Sequence, residues 1–208
     1  MVIQELKPSK RVQGRWLAVL EDGSILRLGE NEVIDFALCA GKELTGEEAE
    51  RLMAALHRSG LKEKALSLLA RKPQSRKELE RKLSQWEATQ EEAAAICERM
   101  EELGYLDDGA YARLLAGHCA ARGYGPAKLR DELYRRGVPR EYWQEALASM
   151  DDPAAAIDAF LDKKLRGTAP GDQKALKRAA DALARRGFRW EDIKDGLRRH
   201  GGAPEEEY

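Results

Sequence analysis

Leu133-Tyr134-Arg135-Arg136-Gly137-Val138 recurs fifty positions later as Leu183-Ala184-Arg185-Arg186-Gly187-Phe188, and Leu147 recurs as Leu197 without a gap. Working backwards at the same shift, Leu79, Leu83 and Met100 fall on Leu129, Leu133 and Met150. The segments ahead of these match at a shift of 44, which places Asp107-Asp108 and Arg122-Gly123 on Asp151-Asp152 and Arg166-Gly167. An insertion near Thr168-Ala169-Pro170-Gly171 absorbs the difference. Self-similarity at a fixed period is the mark of a repeat architecture, in which each unit buries one face against its neighbours.

Each unit reads as three helices. Ser75-Arg76-Lys77-Glu78 and Thr89-Gln90-Glu91-Glu92 are capping boxes for the second and third helices of the first unit. Asp152-Pro153 opens the first helix of the third unit, where proline loses no hydrogen bond. Gly137 and Gly187 end second helices, where a left-handed residue is needed. The expected repeats span residues 61–106, 107–150 and 151–200, followed by a frayed polar tail, 201–208, with Glu205, Glu206 and Glu207.

Residues 1–60 form a separate N-terminal segment. Trp16-Leu17-Ala18-Val19-Leu20 and Ile25-Leu26-Arg27-Leu28 flank Asp22-Gly23, a dipeptide suited to a hairpin turn, and are the one convincing β element. A short helix is expected over Asn31 to Ala40, ended by Gly41. Thr45-Gly46-Glu47-Glu48 caps another that runs to about His57, with Gly60 as the boundary. The predicted fold is mainly α: three tandem three-helix repeats in an elongated curved array, preceded by a β-hairpin and short helices. The junctions near Gly123-Tyr124-Gly125 and Thr168 to Gly171 are expected to hinge.

Composition agrees, since 35% charged and only 6% aromatic residues in a chain of 208 describe amphipathic helices around modest cores. Cys39, Cys97 and Cys119 are an odd number, widely spaced and without a CxxC pair, which fits buried thiols in a reducing compartment. His57, His118 and His200 show no ligand spacing, so neither a metal nor another cofactor is expected. No run approaches the roughly 18 apolar residues of a membrane span, and no signal segment opens the chain, so a cytoplasmic monomer is expected.

The net charge of -1 conceals an alternation. Residues 61–86 carry 8 basic and 3 acidic side chains, 87–108 carry 1 and 8, and 109–140 carry 7 and 2. Residues 141–162 then carry 0 and 6, 163–189 carry 9 and 2, and 190–208 carry 3 and 6. Second helices and their approaches are basic; third helices are acidic. A two-toned surface of this kind suits an extended polymer better than a small molecule.

Nothing points to catalysis. There is no GxxxxGK[ST], HExxH or GxSxG. Asp107-Asp108 and Asp151-Asp152 sit where helices begin, so they read as caps and not as acid-base pairs. Trp86, Trp143 and Trp190 share no aligned position and read as packing residues. Tyr105, Tyr111, Tyr124, Tyr134 and Tyr142 have no spacing suited to a stacking platform for bases.

Three stretches resemble the RecX family over nearly the whole chain. Ala65-Leu66-Ser67-Leu68-Leu69-Ala70-Arg71-Lys72-Pro73-Gln74-Ser75-Arg76-Lys77-Glu78-Leu79-Glu80-Arg81-Lys82-Leu83 looks like the family's opening unit. Leu103-Gly104-Tyr105-Leu106-Asp107-Asp108-Gly109-Ala110-Tyr111-Ala112 looks like its central junction, and Arg122-Gly123-Tyr124-Gly125-Pro126 through Val138 resembles its signature second helix. Ser84-Gln85-Trp86-Glu87 departs from the family's basic-glycine turn, which puts the local turn geometry in question. The Ala-rich third helix from Glu92 to Glu98 departs as well.

The resemblance implies a non-enzymatic modulator that lies in the helical groove of the RecA filament and bridges protomers. Suppressed ATP hydrolysis, strand exchange, co-protease function and filament growth are what it implies for RecA. The contact surface expected for the filament, and for single- or double-stranded DNA within or beside it, is Lys72, Arg76, Lys77, Arg122, Lys128, Arg130, Arg135, Arg136, Lys174, Arg178, Arg185 and Arg186. The alternative is a direct DNA-binding protein of helix-turn-helix-like modules, against which the near-zero net charge counts. A purely structural helical scaffold is a third reading.

Overall fold

A computed structural model describes residues 1–169 and 171–202; the tail expected at Glu205, Glu206 and Glu207 lies outside the described residues. Three strands open the chain, β1 (Ile3–Pro8), β2 (Arg15–Leu20) and β3 (Ile25–Gly29), in the antiparallel order β1-β2-β3. Ten α-helices follow among the described residues: α1 (Glu30–Asp35), α2 (Gly46–Leu69), α3 (Arg76–Gln85), α4 (Gln90–Glu102), α5 (Asp108–Ala121), α6 (Pro126–Arg136), α7 (Trp143–Ala148), α8 (Pro153–Lys164), α9 (Gln173–Arg185) and α10 (Trp190–Arg199). A short 3₁₀ turn, Arg140–Tyr142, leads into α7.

The chain divides into two units, Met1–Lys72 with Lys82–Met100, and Pro73–Arg81 with the chain from Glu101 onward. In the first, the hairpin expected at Asp22-Gly23 is present, with Gly23 at φ 80. It is the inner part of a three-stranded sheet, so the expectation of a lone hairpin is corrected by β1, which pairs with β2 from Ile3↔Leu20 to Pro8↔Trp16. Ile3, Ala18, Leu20 and Leu28 from the sheet join Leu38, Leu44 and Leu52 in one core. Full burial of such aliphatic side chains contributes about 1.5–3 kcal/mol each and supplies what an isolated hairpin lacks.

Two helix ends differ from expectation. The helix expected over Asn31 to Ala40 stops at Asp35, and Ala37 turns the chain at φ 43 so that Leu38 reaches the core. The helix capped by Thr45 and Glu48 does not end near His57 but runs through Gly60 to Leu69. A glycine inside a helix costs about 1 kcal/mol against alanine, a penalty outweighed by burial of Leu52, Leu61, Ala65 and Leu69 along the same helix.

The second unit holds two successive cores. Tyr111, Ala112, Leu115, Ala116 and Cys119 of α5 pack with Leu129 and Leu133 of α6, Val138, and Ala146 of α7. Ile157 and Leu161 of α8 pack with Leu176, Ala179, Ala180 and Leu183 of α9, Phe188, and Ile193 and Leu197 of α10. The leucines matched at a shift of 50, Leu133 and Leu183, are fully buried in both.

Candidate interaction surface

The second helices α3, α6 and α9 end alike. In α6, Val138 N donates to Leu133 O and Gly137 N to Tyr134 O; in α9, Phe188 N donates to Leu183 O and Gly187 N to Ala184 O. In α3, Ala88 N donates to Leu83 O and Glu87 N to Ser84 O. Gly137 and Gly187 take φ 69 and φ 87, and Glu87 takes φ 68 at the matching position. The departure at Ser84-Gln85-Trp86-Glu87 therefore keeps the left-handed turn and builds it from a residue that prefers other backbone conformations.

The ends of α6 and α9 are each set against the start of the preceding second helix. At the end of α9, Arg186 O accepts from Gly125 N at 2.8 Å and Gly187 O from Ala127 N at 3.0 Å, so the terminal carbonyls of α9 bind the first amides of α6. A Cβ on Gly125 would lie 2.4 Å from Gly187 O, which leaves room at that position for glycine alone. At the end of α6, Arg136 O accepts from the Ser75 hydroxyl, while Gly137 lies against the Lys77 side chain. Ser75 is fully buried and also accepts from Glu78 N, so one hydroxyl caps α3 and receives α6. The negative end of each helix dipole thereby meets the positive end of the next, a favourable head-to-tail alignment.

Arginine side chains lock both junctions. Arg136 donates to the Tyr111 hydroxyl at 2.6 Å and approaches Glu78 at 3.3 Å and Glu132 at 3.2 Å. Burial, reinforced by the carboxylate of Glu78, pushes the Tyr111 phenol up to about 12, so it stays protonated and donates to Glu78. Burial works against the charge on Glu132, yet hydrogen bonds from Arg135 and Arg136 outweigh it and hold the carboxyl below its usual value. Arg186 instead donates to the carbonyls of Arg122 and Gly123 and lies 4.8 Å from the Phe160 ring centre and 6.0 Å from that of Tyr124. Asp107 caps α5 through Ala110 N. Asp108 reaches back to cap the first amide of α3, Arg76 N at 2.9 Å, and burial raises its carboxyl above the ordinary value.

Of the twelve cations expected at the surface, Lys72, Lys77, Arg122, Arg135, Lys174, Arg178 and Arg185 are exposed. Arg76, Lys128, Arg130, Arg136 and Arg186 are half-buried, and Arg76 pairs with Glu80 and Glu101. Lys72 falls in the first unit and the other eleven in the second. Lys128 and Arg135 of α6 stand two turns apart on one face, and Arg178 and Arg185 of α9 take the equivalent positions. Three residues of the junctions had no signal in the cation pattern: Ser75, Tyr111 and Gly125. Only the spacing of fifty, which aligns Ser75 with Gly125, marks the first and last as equivalent.

Sequence models of the RecX first, second and third three-helix domains match residues 62–100, 107–147 and 151–197. A regulatory protein RecX from Xanthomonas axonopodis pv. citri is 34% identical over 137 residues, 65% of this chain and 85% of that relative. The chain belongs to the RecX family. A RecX regulatory protein from Lactobacillus delbrueckii subsp. bulgaricus is 30% identical over 182 residues, 86% of this chain and 66% of that relative. A crystal structure of a regulatory protein RecX superposes with a TM-score of 0.72 at 20% identity, covering 95% of this chain and 98% of the other, so the two share a fold. Among the described residues no helix is long and apolar enough to cross a membrane.

Proposed function

We propose that this RecX-family chain regulates the RecA recombinase by binding the RecA nucleoprotein filament in its helical groove through the basic faces of α3, α6 and α9. Binding there restrains ATP hydrolysis, strand exchange, co-protease activity and filament growth. The chain acts by contact and not as an enzyme, as a cytoplasmic monomer without a cofactor. Family membership carries this reading. The end-to-end junctions support it, because α6 and α9 repeat one set of cations, Lys128 and Arg135, then Arg178 and Arg185, for a partner that itself repeats. The exposed remainder of the surface is Lys72, Lys77, Arg122 and Lys174.

The test is single-strand-dependent ATP hydrolysis by RecA, titrated with this protein. Hydrolysis is expected to fall to a plateau, and the joint variant Lys174→Glu, Arg178→Glu, Arg185→Glu to need a higher concentration. An unchanged hydrolysis rate at saturation overturns the proposal. Steeply salt-dependent binding to naked duplex together with that result would put the direct DNA-binding reading in its place.

A further inference from the structure

Tyr134 is 73% exposed on α6, a large aromatic side chain left in solvent on that helix, and its hydroxyl has no hydrogen-bond partner among the described residues. Arg130 and Asp131 lie one turn before it on the same side of the helix, and Arg135, one turn after Asp131, flanks it. The positions matched to it in the other two second helices are Ser84 and Ala184, so the aromatic ring occurs once, in the middle repeat. Tyrosine and arginine are the residue types that dominate binding energy at protein interfaces, where a few central side chains carry most of it inside a polar rim.

The exposed face of α6 is not built for a nucleic-acid strand. Asp131 lies between the cations of α6, and Asp181 takes the same place in α9. Carboxylates recurring in the row would repel a phosphate backbone that follows it, whereas a protein surface of mixed charge can accept them. One isolated ring also offers no succession of stacking sites for bases.

We infer that Tyr134 is the central anchor of the partner surface, seated in a shallow apolar notch of a protein face whose carboxylates meet Arg130 and Arg135. This rests on the proposed function, which makes that face part of a recombinase protomer, and it adds the residue that carries specificity there.

The experiment compares wild-type protein with Tyr134→Ala and Tyr134→Phe for binding to RecA filaments on single-stranded DNA and to the bare oligonucleotide. An exposed side chain can be removed without unfolding α6, which helical circular dichroism verifies. Tyr134→Ala should weaken filament binding roughly 30-fold. Tyr134→Phe should stay within about threefold of wild type, since the ring fills the notch. Bare-oligonucleotide binding should be unchanged in both. Wild-type filament binding with no loss in Tyr134→Ala overturns the anchor and leaves the proposed function standing. Equal losses for filament and bare oligonucleotide overturn the protein occupant, and a Tyr134→Phe loss as large as that of Tyr134→Ala overturns the role of the ring. Absence of wild-type binding to filaments overturns both readings together.

Discussion

Replacing Gly125 by alanine isolates the junction between α6 and α9. The residue sits at φ −86 and ψ 175, extended backbone that alanine adopts without strain, so any cost comes from space alone. The added Cβ would lie 2.4 Å from Gly187 O, 2.6 Å from Gly187 C and 2.7 Å from Phe188 N. All three are backbone atoms, and relief requires moving the end of α9 by about 1 Å to restore ordinary contact. That displacement breaks the hydrogen bonds from Gly125 N to Arg186 O and from Ala127 N to Gly187 O. Two hydrogen bonds at about 1 kcal/mol each and an overpacking cost of about 1–3 kcal/mol oppose a gain of about 0.5 kcal/mol from the stiffer unfolded chain. The variant should lose about 3 kcal/mol, read as a lowered urea midpoint by helical circular dichroism. Gly117→Ala in α5 is the control, because a Cβ there meets nothing within 4 Å, and it should gain about 1 kcal/mol. Equal midpoints for the two variants would refute the junction as described.

Three further outcomes follow from the same geometry. Glu87→Gly should raise stability by about 1 kcal/mol in urea denaturation, because φ 68 strains glutamate and suits glycine; a loss would mean that the Glu87 side chain holds the turn. Ser75→Ala should cost about 2 kcal/mol by the same measurement, removing both the cap on Glu78 N and the donor to Arg136 O. His200 is raised above its ordinary value chiefly by the Gly196 carbonyl, with Asp162 and Asp158 adding to it. A histidine with a raised folded value contributes stability that is complete below about pH 6.5 and lost as pH rises through the raised value. The urea midpoint of His200→Gln should therefore fall short of wild type by more at pH 5.5 than at pH 8.5, and a constant gap would contradict the pairing with Asp158 and Asp162.

Much of the repeat architecture was legible because its signals are local. Gly137 and Gly187 mark helix ends by backbone chemistry, and Ser75, Thr89 and Asp152 mark starts by side-chain chemistry that acts within three residues. β1 was not legible: a register shift between Ile3 and Glu5 interrupts the alternation, and Pro8 ends the strand as though it were a loop. Gly60 misled as a helix end, because the burial that carries α2 through it depends on packing and not on the residue itself. In the candidate surface, counting charge located the basic helices but did not separate Arg135, exposed, from Arg136, turned inward to Tyr111 and Glu78. That distinction needs residues 25 and 58 positions away. Tyr134 and Tyr111 are likewise both tyrosines among helical cations, and only folding shows one exposed and the other buried.

The measurement that bears most directly on the account is the affinity of this protein for RecA filaments on single-stranded DNA, with charge reversed on one helix at a time. Lys174→Glu with Arg178→Glu and Arg185→Glu on α9 should weaken binding roughly tenfold or more. Glu191→Lys with Asp195→Lys on α10, a third helix, should leave binding unweakened. Filament affinity unchanged by the α9 reversals, or lowered equally by both sets, would contradict the assignment of the basic second helices as the contact surface.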